Sequence, residues 1–465
     1  MHGMEEFRSD PNAIVDNKNP WWKDLNRYHW FVLVVAALGW LFDTMDQQLF
    51  NLARVPAMRE LLKGSDGTAA TDAVVAVYGG YATSIFLIGW ASGGLFFGVL
   101  GDKIGRAKTM MLTILIYSLC TGLSALSTGF WDFAFYRFIT GLGVGGEFAV
   151  GVSLVAEVMP NRARPFALGL LQALSAVGNV TAALIAILLG RLEETGAIGS
   201  AWRVMFVIGA LPALLAILIR RNLKEPERWQ QLQASGGSET IKRAGSYAEL
   251  FGHPVWRKRA LLGMLLAFSG VVGLWGIGFF SIDLTRSVLR KTFEAQGVAP
   301  EAIAGKLTFW AGMTSVMLNI GAFFGIYGFA QVTHYTGRKP AFAVAFVAAG
   351  LSTAMVFLYL REFSQIFWMV PIMGFCQLAL FGGYAIYFPE LFPTHLRSTG
   401  TSFCYNVGRF VAAAGPTTLG LLTGVVFKDS PEPMRPAGLA MCSVFVIGLL
   451  VLPFLPETKG QPLPE

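Results

Sequence analysis

WFVLVVAALGWLFDTMDQQLFNL, residues Trp30 to Leu52, is an apolar run of membrane-crossing length that carries two carboxylates, Asp43 and Asp46, and two amides, Gln47 and Gln48. About 20 apolar residues cross a bilayer as a helix, and an ionisable side chain at the middle of that helix costs roughly 2.5–3.5 kcal/mol on insertion. Such groups therefore face a partner or a water-filled path. Asp43, Asp46 and Gln47 stand at i, i+3 and i+4, which predicts one polar helix face that Phe50 and Asn51 extend.

The rest of the chain has the same character. Of 465 residues, 54% are hydrophobic and 14% charged, and the mean hydropathy is +0.54. That composition excludes an ordinary soluble domain and indicates an integral membrane protein. The net charge of +7 reads as basic loops set by membrane orientation, not as a nucleic-acid surface. Cys120, Cys376, Cys404 and Cys442 each lie in an apolar segment without metal or disulfide spacing, and the five histidines are scattered in the tail, loops and span edges. No P-loop, metal cluster or catalytic triad is expected, hence no cofactor, no metal and no enzyme activity.

Twelve apolar spans are expected, near 29–53, 73–100, 108–128, 131–156, 165–190, 201–221, 260–284, 307–331, 340–360, 364–388, 398–425 and 437–455. Lipid leaves no backbone partner outside the segment, so each is a helix and the fold is all-α. Lys and Arg concentrate in the tails and in the loops on their side, which predicts cytoplasmic termini in a plasma (inner) membrane. The expected division is a tail (1–28), a six-span bundle (29–221), a cytoplasmic linker (222–259), a second six-span bundle (260–455) and a tail (456–465). EVMPNRAR at Glu157 and ELFPTHLR at Glu390 share Glu, Pro and Arg at one spacing, 233 residues apart. Gly105 and Arg106 recur as Gly337 and Arg338 at an offset of 232. The halves are therefore repeats, an arrangement from which transporters with a site at the repeat interface are built.

GVLGDKIGRAK (98–108), RFITGLGVGGE (137–147), the two E-x-x-P-x-x-x-R elements and PETKG (456–460) resemble the major facilitator superfamily, in its sugar-porter and metabolite/proton-symporter branches. DTMD in span one and NVGRFVAAAGP in span eleven are similar to carboxylate importers, the aromatic-acid/proton symporters among them. The resemblance implies two pseudo-symmetric six-helix bundles, alternating access, and a monomer that takes a small-molecule substrate and protons. It also implies that Asp102, with Gly105 and Arg106, locks the halves on the cytoplasmic side. The physical reason is that an acid near Ser398 meets the positive end of the span-eleven helix. Glu157 with Arg164, and Glu390 with Arg397, offer exchangeable ion pairs in that gate. His334 stands where the repeat would place a second Asp102, and Ala330 where it would place Gly98, so the second gate element, with Gly337 and Arg338, is expected to be weaker.

Four buried charges are candidates for proton coupling. Asp43 lies about 20 Å along span one, and Arg137 about 9 Å inward from the opposite face, a comparable depth. The resemblance places helices one and four side by side at the cavity, so either Asp43 or Asp46 is a candidate partner of Arg137. Glu147, ten residues deeper in span four, stands either as a second proton site or as a packing contact. Gly141 and Gly145 at GxxxG spacing read as close helix packing, since no strand and turn surround a dinucleotide fingerprint.

Arg409 lies about 16 Å into span eleven, near the midplane. Its mate is either an anionic substrate group or an acid of the first half. Tyr405 and Asn406 would share its cavity face, and Gln47, Gln172, Asn179, Asn319, Gln377 and Tyr384 are substrate contacts or helix–helix glue. These features predict a proton-coupled importer of an organic or sugar acid. The alternatives are a neutral sugar or polyol porter and a non-transporting sensor. Drug efflux is disfavoured because SAVGNVTAAL in span five lacks the antiporter pattern.

Overall fold

The computed structural model describes residues 20–63, 70, 72–214, 222–235, 244–278, 280–298, 300–412, 418 and 422–464. In the first half α1 (Arg27–Leu61), α2 (Asp72–Ile104), α3 (Arg106–Ser124), α4 (Phe130–Val158), α5 (Arg164–Glu194) and α6 (Ala201–Ile208) follow one another. Two short helices, α7 (Glu227–Ser235) and α8 (Tyr247–Gly252), occupy the central connection. The second half contains α9 (Pro254–Val272), α10 (Phe280–Ala295), α11 (Pro300–Thr336), α12 (Arg338–Tyr359), α13 (Ile366–Leu391), α14 (Arg397–Ala412), α15 (Met434–Met441) and α16 (Val444–Val451). Among the described residues there is no strand, and nine helical segments are long and apolar enough to cross a membrane.

Three expected spans are not among those nine. Residues 215–221 of the sixth, and 413–417 and 419–421 of the eleventh, lie outside the described residues. The seventh is divided by a π-helical turn, Gly273–Gly278, between α9 and α10. Outward faces carry Phe96, Leu126, Phe135, Leu184, Val344 and Leu351, which leaves an apolar surface for lipid.

The halves follow the repeat. α2 lies along α4 and α1 along α5, while α11 lies along α13 and α9 along α14. Between the halves α2 meets α14 and α5 meets α11. The α2–α14 contact is close because glycines recur on one α2 face: Gly94 receives Asn406, Gly98 receives Ser402, and Gly101 receives Ser398. A Cβ at Gly98 would stand 2.6 Å from Ser402 Cβ, and one at Gly101 2.7 Å from Ser398 Oγ. Only glycine admits that approach.

Both described chain ends lie at the same end of the bundle, here the terminal end. Trp21 stacks on Phe166 at the start of α5, with centroids 5.6 Å apart, and the Pro464 carbonyl accepts a bond from Arg397 at 2.8 Å. Here α3 and α12 begin after Gly105 and Gly337, whose φ values of 115° and 97° suit glycine. Glu225 accepts from the Ala107 and Lys108 N–H groups at 3.1 and 3.0 Å, and Glu457 from those of Arg338 and Lys339 at 2.9 and 3.0 Å. Glu225 and Glu457 themselves obey the 232-residue offset. The donors slip by one residue because Pro340, which has no N–H, stands where the repeat would place Lys108.

Burial alone would raise the Glu457 carboxyl, but N–H bonds from Arg338, Lys339 and Lys459 hold it below its ordinary range. A depressed folded-state pKa contributes stability above the unfolded value, lost as pH falls through the folded one. Unfolding midpoints of wild type and Glu457→Gln are therefore expected to differ at neutral pH and to converge as pH drops below the usual glutamate range. An equal gap at both pH values would show that the charge is not what caps α12.

Candidate functional site

A central cavity lies between the halves. α1 contributes Trp40, Thr44, Gln47, Gln48 and Asn51, and α2 contributes Trp90. α5 supplies Gln172, Ser175 and Asn179, and the second half supplies Leu274, Ser315, Leu318, Asn319, Leu378, Phe381, Tyr405 and Arg409. Aromatic rings, amides and hydroxyls make up most of the lining, with one guanidinium. Asn179 Nδ2 donates to Asn319 Oδ1 at 3.0 Å, joining α5 to α11 across the cavity. Gln172 Oε1 is buried without a hydrogen-bond partner.

Arg409 is the cation of this cavity. Its guanidinium carbon lies 3.9 Å over the Trp90 ring and 4.5 Å over the Tyr405 ring. Tyr405 in turn stacks on Phe148, with centroids 4.0 Å apart. The charge is thus clamped between aromatic faces drawn from both halves, a favourable setting for a cation out of water. Arg409 Nε has no hydrogen-bond partner, and no ion pair forms at Arg409 among the described residues, although Asp43 is within electrostatic reach.

The expected single polar face of α1 is divided in two. Trp40, Thr44, Gln47, Gln48 and Asn51 turn to the cavity, whereas Asp43, Asp46 and Phe50 turn into the first half, where each is buried. At about 100° per residue the two stripes are offset by roughly a quarter turn or slightly more. Asp46 is the aspartate that meets Arg137. Its Oδ2 lies 3.7 Å from Arg137 Nη1, an ion pair too long for a hydrogen bond, and its Oδ1 accepts from Thr121 at 2.7 Å. Arg137 also donates to Ser124 at 2.9 Å and Thr140 at 3.1 Å, and it lies over Phe206 at 4.7 Å.

Asp43 has no ion pair among the described residues and lies within electrostatic reach of Glu147, Asp46 and Arg409. Both Asp43 oxygens are buried without a hydrogen-bond partner. Glu147 Oε2 accepts from Thr113 at 2.8 Å, while Oε1 has no hydrogen-bond partner and presses on Gly39 of α1. Buried polar atoms are ordinarily bonded, so three orphaned carboxyl oxygens in one place require a physical account.

Three expected cavity residues are placed elsewhere. Gln377 donates to Thr353 inside the second half at 2.5 Å, and Tyr384 OH donates to the Leu266 carbonyl at 2.8 Å. Asn406 faces α2 and bonds Ser402 at 3.1 Å, so it belongs to the seam. Each finds its partner on its own helix or a neighbouring one, which withdraws it from the cavity. Asn51 follows the expected polar stripe of α1 and Gln48 lies beside it, whereas Trp90, Ser175 and Ser315 are cavity residues that the sequence does not single out. The α1 positions carry a signal, since 44, 47, 48 and 51 share a face; a tryptophan in glycine-rich α2 carries none.

At the terminal end the seam is bonded shut. Asp102 accepts from the Ser398 and Thr399 N–H groups at 3.1 and 2.8 Å and from Thr399 Oγ1 at 2.6 Å, capping α14. Arg106 contacts Asp102 and Glu157, each at 3.0 Å, and the Thr394 carbonyl at 2.5 Å. The pairing inside each repeat motif is corrected. Glu157 Oε1 meets Arg106 and, at 2.7 Å, Arg397 of the other half. Glu390 meets Arg338 at 2.8 Å and Thr458 at 2.6 Å within its own half. Arg164 bonds the Ala156 carbonyl at 2.8 Å and Asn161 at 2.6 Å. His334, where the repeat would place a second Asp102, packs at a tilt against Phe166, with centroids 4.9 Å apart.

A polar cavity between two repeated helical halves, sealed at one end, defines a membrane transporter of small molecules. The chain belongs to the Major Facilitator Superfamily, whose family profile matches residues 36–416. It is 30% identical over 348 residues to a cis,cis-muconate transport protein of Acinetobacter baylyi, covering 74% of this chain and 78% of that one. It is 28% identical over 406 residues to the sialic acid transporter NanX of Escherichia coli, covering 87% and 90%. Among solved structures, the proton:xylose symporter XylE of E. coli superposes with a TM-score of 0.70 at 18% identity, covering 94% of this chain and 98% of that chain. The protein is therefore a multi-pass membrane transporter of small metabolites and not an enzyme.

Proposed function

We propose that the protein imports a small carboxylate-bearing metabolite together with protons, by rocking its halves (29–221 and 260–455) about the central cavity. The observation that carries this reading is Arg409: a guanidinium clamped by Trp90 and Tyr405, with Nε unpartnered, in a cavity otherwise lined by neutral groups. A carboxylate would supply the missing charge and a planar partner for the guanidinium fork. Gln47, Gln172, Asn179, Asn319 and Tyr405 would bind the rest of the substrate. The names of the muconate and sialic acid transporters denote carboxylates and support the same reading.

Proton coupling is assigned to Asp43, Asp46, Arg137 and Glu147. A buried carboxyl without a hydrogen-bond partner costs far less protonated than ionised, and Asp43 and Glu147 offer such oxygens beside the Asp46–Arg137 pair. In this scheme Asp102, Gly105, Arg106, Glu157, Arg164, Gly337, Arg338, Glu390 and Arg397 form a cytoplasmic gate, with the linker 222–259 and both tails on that side. The protein acts as a monomer in the inner membrane.

A neutral sugar is the second reading, favoured by the Asn179–Asn319 amide pair and the free Gln172 oxygen. Uptake into proteoliposomes with an imposed proton gradient separates the two. Wild type is expected to accumulate carboxylates and ignore neutral sugars. Arg409→Gln is expected to lose about 1.5–3 kcal/mol of substrate affinity, the range for a hydrogen bond to a charged group. Uptake of neutral sugars alone would overturn the carboxylate.

A further inference from the structure

We infer that Arg54 forms a second, outer anion site that receives the carboxylate of the incoming substrate before Arg409 does. This rests on the proposed anionic substrate and extends it to a residue outside the central cavity. Arg54 lies on α1, three residues beyond Asn51 and seven beyond Gln47, both of which line the cavity, so the three share one helix face. The terminal end is sealed by Asp102 and Glu157, and this face climbs away from it.

Arg54 does not extend outward to the membrane surface as an arginine near a helix end ordinarily does. It turns inward onto α2, where Nη1 donates to Thr83 Oγ1 at 2.7 Å. Thr83 Oγ1 uses its own proton on the Gly79 carbonyl at 2.9 Å, which leaves its oxygen to accept. The Arg54 stem lies over Gly79, where an added Cβ would meet its Cγ and Cδ at 3.5 Å. Among the described residues Thr83 is its one hydrogen-bond partner, and no carboxylate faces it. A guanidinium carries five N–H donors, so the site retains donors for a ligand.

α2 relates the two cations. Thr83, which holds Arg54, and Trp90, which lies under Arg409, are seven residues apart. Seven residues bring a helix back to within about 20° of the same azimuth and advance it by about 10 Å. Arg54 and Arg409 therefore stand on one face of α2, two turns apart, with Asn51 and Gln47 of α1 between them in height. A carboxylate leaving the outer solution meets Arg54 first and Arg409 two turns deeper. A cation at the rim of a low-dielectric cleft raises the local anion concentration and the capture rate, and salt screens that effect.

The test is KM and maximal rate of carboxylate uptake at low and high ionic strength, for wild type, Arg54→Lys, Arg54→Gln and Thr83→Asp. Arg54→Gln is expected to raise KM by about tenfold at low salt, to leave the maximal rate within about twofold, and to abolish the salt dependence of KM. Arg54→Lys should keep most of the effect. Thr83→Asp leaves Arg54 in place but gives it a permanent carboxylate, and should raise KM as Arg54→Gln does, which keeps the question answerable if Arg54→Gln does not fold. If wild type takes up carboxylates while both Arg54→Gln and Thr83→Asp leave KM and its salt dependence unchanged, Arg54 is a helix–helix contact only and the outer site is wrong. If wild type takes up only neutral sugars, it is the anionic-substrate reading that fails.

Discussion

Arg137→Met is expected to lower the unfolding midpoint of the purified protein and to abolish gradient-driven accumulation, whereas Asp46→Leu combined with Arg137→Met regains the midpoint without the accumulation. Both side chains are fully buried, and their 3.7 Å contact is an ion pair without a hydrogen bond. Removing one member of such a pair leaves an uncompensated buried charge, at a cost of about 3–5 kcal/mol. Replacing both by apolar side chains is often neutral or stabilising. Stability and coupling should therefore separate in the double variant. Thermal unfolding in detergent and uptake driven by a pH jump read the two quantities. A single variant with the wild-type midpoint would mean that Asp46 is already neutral in this conformation, and that Arg137 is held by Ser124, Thr121 and Thr140 alone.

Glu157→Gln should open the terminal end. One oxygen, Glu157 Oε1, receives Arg106 of its own half and Arg397 of the other, and all three side chains are buried. Without the carboxylate, two guanidiniums lose a shared counter-charge in the closed state. In an open state Arg397 can reach water. A loss of about 3 kcal/mol from the closed form is a shift of roughly a hundredfold in the open-to-closed ratio. Glu390→Gln breaks the equivalent motif, but its partners Arg338 and Thr458 lie in the same half. That change should lower stability and leave the ratio nearly unaltered. Spin-label distances across the terminal end, measured on both variants, distinguish these outcomes; equal opening by both would remove the asymmetry.

Much of this architecture is legible in the residues themselves. Lipid forces uninterrupted helices, so apolar length alone predicts α1, α4 or α12. The 232-residue offset predicts the paired turns at Gly105 and Gly337, and counting from Ser398 predicts that Arg409 lies deep. Less legible is which group meets which. The helical period places Asp43, Asp46 and Gln47 within one broad face, but 60° of azimuth decides whether a side chain meets Arg137, Glu147 or the cavity, and that is set by how α1 rolls against α3, α4 and α5. Gln377, Tyr384 and Asn406 show the same limit. An amide or phenol in an apolar span needs a partner, and only the folded structure reveals that Thr353 and the Leu266 carbonyl of neighbouring helices, and Ser402 one turn back on the same helix, provide it. The aromatic clamp on Arg409 is longer in range still, since Trp90 and Tyr405 are separated by more than 300 residues of chain.

The two E-x-x-P-x-x-x-R elements arose as equals and are no longer equal. Arg106 and Glu157 reach across to the other half, while Arg338 and Glu390 stay at home. One working latch releases its duplicate from selection for the same task. His334, Ala330 and Pro340 are the divergence such release permits: a ring against Phe166, a methyl against Gly169, and a cap that slid by one residue. Random mutagenesis scored by transport should therefore find Asp102, Arg106, Glu157 and Arg397 intolerant, and Arg338 and Glu390 permissive, a record of duplication followed by unequal inheritance.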